Sequence, residues 1–347
     1  MFKIKSRIIS NKSKPFIIAE MSANHNGSLK NALKLVDIAA ESGADAIKLQ
    51  TFTADTMTIK SNRKEFLITN KKNLWKNRTL YELYKKGETP LSWHKKIFDR
   101  AKKNKIICFS SPFDETAVDF LEKLKTPVYK VASFENEHYP LLKKIASTGK
   151  PVIMSIGMLS LNELDKSFNY LKNNGCKKIA LLKCTSSYPA KSKDLNILTI
   201  PFLKKRFKCE IGYSDHSLGI GASVAAVAHG ATIIEKHFTL KKNFGLDGKF
   251  SSDNSELSYL VKQCSIAKEA LGKAKVGPSK DEILSKKFKR SIYVVKKIRK
   301  GEKFTKENLK IIRPSNGLHP KYFEYILNKR AKKNIDKNLP FKKSFFK

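Results

Sequence analysis

The sequence predicts a (β/α)8 barrel followed by a small C-terminal domain, and three observations carry that prediction. Short apolar, β-branched runs alternate with amphipathic helical stretches, as in parallel strands joined by crossover helices. Eight such units fit within residues 1–271, which suits a closed barrel better than an open doubly wound sheet. No G-x-G-x-x-G run follows the first strand, so a dinucleotide-binding sheet is disfavoured.

The expected strands cover residues 16–21, 46–52, 106–112, 128–133, 151–157, 179–184, 210–215 and 232–238. A helical stretch follows each one: 29–41, 92–103, 115–124, 141–147, 161–173, 196–205, 219–228 and 255–271. Ser42-Gly43 and Gly149 read as glycine stops after helices. The connection 53–91 is long for a βα loop, and such loops cover the mouth of a barrel, so it is expected to form a partial lid. Periodicity ends after residue 271. Residues 272–289, with Gly277-Pro278-Ser279, read as a polar linker. Residues 290–347 read as a second domain, with a strand at 291–295, a turn at 300–302 and a short helix starting over 305–309. A unit that small is marginal alone and is expected to pack against something larger.

Composition narrows the function classes. With 347 residues, 41% hydrophobic and 10% aromatic, the chain can bury a sizeable core and is not expected to be disordered. It contains no run of eighteen apolar residues, and residues 1–14 lack the apolar stretch of a signal peptide. Five scattered cysteines without a C-x-x-C pair suit reduced thiols. A cytoplasmic protein with no membrane partner is the expectation. The net charge of +39 raises nucleic-acid binding as an alternative of another class. However, only nine of the 70 basic residues are Arg, and no basic block alternates with stacking aromatics. A lysine-rich soluble surface accounts for the charge, and no nucleic-acid partner is expected.

Barrel enzymes carry their chemistry at the C-terminal ends of the strands. The polar residues of this chain gather there: Glu20, Lys48 and Gln50, Ser111, Lys130, Ser133 and Glu135, Ser155, Tyr188, Ser214 and His216, then Glu235 and His237. Lys48 and Gln50 share one face of their strand while Leu49 takes the other. A lysine in a strand is usually a solvent-reaching edge residue. Inside a buried barrel strand an unpaired charge is costly, and an anionic ligand would satisfy both Lys48 and Lys130. A lone histidine is more often a bonded core residue than a ligand. His216 and His237, ending neighbouring strands, can converge on one divalent metal. Ser111, Ser155 and Ser214 can donate to phosphate oxygens, or simply cap turns. Glu20 and Glu135 are either acid/base groups or counter-ions in a cationic mouth. Read from residues alone, this is a phosphate- and carboxylate-binding cavity with a divalent metal, suited to carbonyl chemistry on a phosphorylated acid.

Several segments together carry a resemblance that no single one would establish: Phe16 to Asn26 (FIIAEMSANHN), Gly43 to Thr51 (GADAIKLQT), Thr53 to Thr58, and Ser110-Ser111-Pro112-Phe113. Tyr129 to Glu135 (YKVASFE), Gly212 to His216 (GYSDH) and Glu235 to Thr239 (EKHFT) complete the set. The chain resembles the sialic acid synthase family, its pseudaminic branch in particular, over nearly its whole length. Residues 290–347 resemble the antifreeze-like (SAF) domain of that family, with Arg313-Pro314 and Gly317-Leu318-His319-Pro320-Lys321 in the place of its active-site arginine motif.

The resemblance implies a metal-dependent condensation of phosphoenolpyruvate with an open-chain amino-sugar aldehyde, 2,4-diacetamido-2,4,6-trideoxy-L-altrose. The same chemistry on the N-acetylneuraminate or legionaminate precursor is the alternative. It implies that Lys48, Ser111, Lys130, Ser133, Ser155, Ser214 and Arg313 hold phosphoenolpyruvate. Gln50, Glu135, Tyr188 and Asp247 would contact the sugar, with Glu20 and Glu135 moving protons. His216 and His237 would bind the divalent metal, manganese first, with magnesium or cobalt as substitutes. It further implies a domain-swapped homodimer in which Arg313 serves the partner's site. The loops 135–139 and 246–251 depart from the family pattern where the sugar is expected.

Overall fold

The computed structural model describes residues 2–69 and 74–346. Residues 70–73, inside the expected lid, lie outside the described residues. Contacts divide the chain into two compact units, Met1–Gly272 and Lys273–Lys347.

The first unit opens with an antiparallel hairpin, β1 (Phe2–Ile4) and β2 (Arg7–Ile9). Eight parallel strands follow: β3 (Phe16–Glu20), β4 (Ala46–Thr51), β5 (Ile107–Pro112), β6 (Tyr129–Val131), β7 (Val152–Ser155), β8 (Ile179–Cys184), β9 (Glu210–Asp215) and β10 (Ile233–His237). They close into a barrel in sequence order, with β10 pairing back onto β3. The predicted barrel is therefore the observed one.

Alternation along each strand splits the core in two. Outward residues such as Ile47, Leu49, Tyr129, Met154, Leu181 and Ile234 pack under the helices. Inward residues Ile18, Phe109, Ile153, Leu182 and Ile233 fill the lower lumen, where Phe2, Ile4 and Ile9 of the hairpin join them and close that end. Further along, the inward positions of most strands turn polar or charged, as at Glu20, Lys48, Ser111, Lys130, Ser155 and Glu235. Glycine serves the helix ends as expected: Gly43 adopts φ +81 after the helix Leu29–Glu41, a left-handed turn that costs a residue without a Cβ little.

The expected lid carries a short helix, Ala54–Met57, and a longer one, Leu80–Gly87, whose capping box pairs Thr79 with Glu82. The hairpin at residues 2–9 is an element that the sequence reading left out.

The second unit contains the antiparallel pair β11 (Ser291–Val294) and β12 (Leu309–Ile312) around a core of Ile292, Val294, Phe304, Leu309 and Phe341. One expectation fails here: residues 305–309 form no helix. The Asn308 side chain accepts from the Thr305 N–H at 2.8 Å and donates to the Lys303 carbonyl at 2.9 Å. Side-chain bonds to the backbone thus close a single turn, and the chain leaves it as β12. Residues 272–289, expected as linker only, include the short helix Lys280–Ser285. Among the described residues, no helix is long and apolar enough to cross a membrane.

Candidate active site

Strand register brings the predicted residues together. Glu20 lies opposite Lys48 on β4 and opposite His237 on β10, while Glu235 lies opposite Ser214 on β9. All point into the upper lumen. Lys48 Nζ sits 2.7 Å from Glu20 Oε2, 3.8 Å from Glu235 Oε1 and 3.2 Å from Ser111 Oγ. Lys130 Nζ sits 3.9 Å from Glu235 Oε1 and donates to Ser155 Oγ at 2.7 Å. Gln50 donates to Glu20 Oε1 at 3.1 Å. All four charged groups are buried.

Burial pulls both ammonium groups toward neutrality, and their counter-ions decide the outcome. For Lys48 the carboxylates of Glu20 and Glu235 outweigh desolvation and hold it above the usual lysine range. For Lys130 desolvation wins over Glu235, with Lys48 nearby adding repulsion, and its affinity for the proton falls below normal. The two lysines are thus unequal. Lys48 has a carboxylate at 2.7 Å, whereas the nearest to Lys130 stands at 3.9 Å, and the protonated form of Lys130 would gain from an incoming anion.

The imidazoles lie across the lumen with ring centroids 5.4 Å apart. His216 Nδ1 meets the Thr185 carbonyl at 2.9 Å, which fixes the proton on that nitrogen and leaves Nε2 as a lone pair. Burial and the neighbouring His237 lower the His216 pKa to about 3, so the ring is neutral. His237 Nδ1 is buried without a hydrogen-bond partner and lies 3.6 Å from Asp247 Oδ2. Two buried imidazoles, one held neutral and the other with an orphaned nitrogen, fit as donors to a transition metal. Among the described residues no group of three or more His, Cys, Asp or Glu forms a protein-only cage, so water or substrate oxygens would have to complete the coordination.

Above this floor opens a cavity of about 450 Å³. Gln50, Glu135, Tyr188 and Asp247 line it, as the sequence predicts, together with an apolar wall built partly from the lid. Phe52 packs edge-on against Tyr84 and Phe113, at 6.0 and 5.2 Å between centroids. Tyr188 stands over His216 at 4.5 Å. Burial raises the Glu135 carboxyl to about 7, only partly offset by Lys130, and one of its oxygens is buried without a partner. Ser133 meets Ser186 at 2.7 Å, and Ser214 meets Glu235 at 3.2 Å.

The sequence places Ser186 and Ser22 among the polar residues at strand ends but gives neither a role. Ser186 follows β8 and meets Ser133. Ser22 follows β3. It adopts φ +46, a left-handed conformation uncommon outside glycine, and its hydroxyl donates to Asp247 Oδ2 at 2.5 Å. Asn24 accepts from the Asp247 N–H at 3.1 Å, and Gly245 lies so close that a Cβ there would stand 2.5 Å from Asn24 Oδ1. The β3 end thereby clamps the Asp247 loop. Arg313 belongs to the second unit, exposed just after β12.

Comparison with known proteins agrees with this architecture. A NeuB family model matches residues 35–276, and a SAF domain model matches residues 289–347. The chain is 44% identical to a pseudaminic acid synthase of Campylobacter jejuni over 96% of its length and 97% of the relative's. It is 41% identical to an N,N'-diacetyllegionaminic acid synthase of Campylobacter jejuni, covering 92% and 97%. Among solved structures, an N-acetylneuraminic acid synthetase of Leptospira borgpetersenii superposes with a TM-score of 0.72 at 32% identity, covering 82% of this chain and 94% of that one. On the family match and on identities above 40% across almost the whole length, the chain belongs to the NeuB family and carries a SAF domain at its C-terminal end.

Proposed function

We propose that this protein is a pseudaminic acid synthase, condensing phosphoenolpyruvate with 2,4-diacetamido-2,4,6-trideoxy-L-altrose and water to give a nonulosonic acid and inorganic phosphate. The observation that carries the reading is the convergence of two buried lysines and two buried histidines below a half-apolar cavity. Phosphoenolpyruvate supplies the anion for Lys48 and Lys130, and Ser111, Ser133, Ser155 and Ser214 donate to its oxygens. The apolar wall of Phe52, Tyr84 and Phe113 suits acetamido methyls and a deoxy terminus, while Gln50, Tyr188 and Asp247 face the hydroxyls.

The reaction forms one C–C bond, from C3 of phosphoenolpyruvate to the aldehyde carbon, and the aldehyde oxygen takes up a proton. Water adds at C2, and the C–O bond to phosphate breaks as the C2 ketone forms. Glu135, with a pKa near neutrality, is suited to exchange the protons involved, with Glu20 as its partner on the Lys48 side. A divalent metal held by His216 and His237, manganese in the first instance, would supply Lewis acidity toward the aldehyde oxygen. Arg313 completes the phosphoenolpyruvate site of the partner in a homodimer, and the enzyme works in the cytoplasm.

Phosphate release from phosphoenolpyruvate across a panel of aldehydes, with and without manganese, tests the reading. Turnover of the trideoxy-diacetamido altrose is expected, and loss of it in His237→Ala. Turnover of N-acetylmannosamine or of the legionaminate precursor alone would move the protein to the neighbouring activity, which the 41% identity to a legionaminic acid synthase makes the second reading.

A further inference from the structure

On the outer face of the barrel, behind the two imidazoles, stands a buried ion pair that the condensation does not use. Ser214, Glu235 and His237 face the lumen, so Asp215 and Lys236, alternating with them, face outward. The β9–β10 register sets Lys236 opposite Asp215, and Lys236 Nζ lies 3.1 Å from Asp215 Oδ2. Both side chains are shut off from solvent. The Ser217 N–H and hydroxyl donate to Asp215 Oδ1 at 2.9 and 2.6 Å, and Ser223 donates to Oδ2 at 2.7 Å. Lys236 also donates to the Ser217 carbonyl at 2.5 Å.

Such a pair is a poor device for stability alone, because apolar residues of similar volume stabilise a core as well or better. Its position is informative. Asp215 directly precedes His216 and Lys236 directly precedes His237. The pair ties together the ends of the two strands that deliver the imidazoles, and through Ser217 it also fixes the start of the loop after His216.

We propose that the Asp215–Lys236 ion pair is a positioning lock that sets the separation of His216 and His237, so that the two rings engage one divalent cation together. The lock rests on the metal-site reading given under Proposed function. It acts from the far side of the strands and touches neither substrate nor cation. Removing it would leave the barrel closed, since β9 and β10 keep their backbone ladder, but would free the strand ends to splay.

The test is the double variant Asp215→Leu/Lys236→Met, examined in full-length protein without sugar. Mn2+ affinity is measured by paramagnetic resonance of the free ion, phosphoenolpyruvate affinity by calorimetry on metal-free protein, and melting temperature by circular dichroism. Mn2+ affinity is expected to fall by about 10-fold or more, the range typical of groups that orient metal ligands. Phosphoenolpyruvate affinity and melting temperature should stay near wild type. Unchanged Mn2+ affinity overturns the lock, as does an equal fall in both affinities, which would mean general loosening. If the double variant does not fold, Ser223→Ala carries the test by removing one bond to Asp215; a folded Ser223→Ala protein with wild-type Mn2+ affinity also overturns the lock. His237→Ala separates the two levels. Wild-type Mn2+ affinity in that variant defeats the metal-site reading and the lock with it. Lost affinity there, beside intact affinity in the double variant, defeats the lock alone.

Discussion

Glu20 and Lys48 face each other from adjacent barrel strands, carboxylate to ammonium at 2.7 Å, with neither side chain open to solvent. Lys48 also serves Glu235 at 3.8 Å, so one ammonium answers two buried carboxylates. Lys48→Met removes the nearest cation from both. The expected cost is about 3 kcal/mol in denaturant unfolding at neutral pH, with a loss of at least about 100-fold in kcat/KM. Near-native stability in that variant would mean that the carboxylates find another partner.

Glu135 titrates near pH 7 in the folded protein because burial opposes its charge, against about 4.5 when unfolded. The folded state therefore holds the proton more tightly, and its stability falls as pH rises from about 4.5 to about 7. Glu135→Gln escapes that penalty. The variant is expected to gain on wild type across this window, by up to about 3 kcal/mol, and to be level with it below pH 4. Its kcat/KM profile should also lose a limb near pH 7. Parallel stability curves for the two proteins would contradict the assignment.

Arg313→Ala and Lys130→Ala place their lesions in different units of the chain. If Arg313 serves the partner's site, each homodimer is impaired, while a mixed dimer contains one site with both residues intact. After subunit exchange an equimolar mixture should recover about a quarter of wild-type activity. Absence of any recovery counts against a shared site.

Ile4 is fully buried against the barrel's inward apolar residues. Ile4→Ala is expected to cost about 2–4 kcal/mol on chemical unfolding, with kcat of the folded fraction unchanged at 25 °C. A cost below about 1 kcal/mol would show that the hairpin is dispensable to the core.

The barrel was legible because most strands pair a hydrophobic lower half with a polar upper end, and that pattern indicated the direction of Lys48, Lys130, Glu235 and His237 without coordinates. The hairpin was not. Its strands Phe2–Ile4 and Arg7–Ile9 are three residues long and interleaved with basic residues, too short for a period-two signal to stand out. The Ser22–Asp247 bond joins residues 225 positions apart, a separation that no local pattern encodes. The turn at residues 305–309 misled because Thr, Lys and Glu suit a helix start, whereas the Asn308 side chain bonds decide the conformation.

The hairpin gives the barrel a floor, so the lysines are reached from the cavity above them. Lys48 lies one inward position below Gln50, so a reactant lodged on the lysines sits behind one lodged against Phe52 and Tyr84. On the proposed placement of the two reactants, loading is expected to be sequential, inner reactant first. An unreactive mimic of the sugar should accordingly trap phosphoenolpyruvate, inhibiting in an uncompetitive pattern against it, a kinetic signature that comes from three buried side chains at the far end of the barrel.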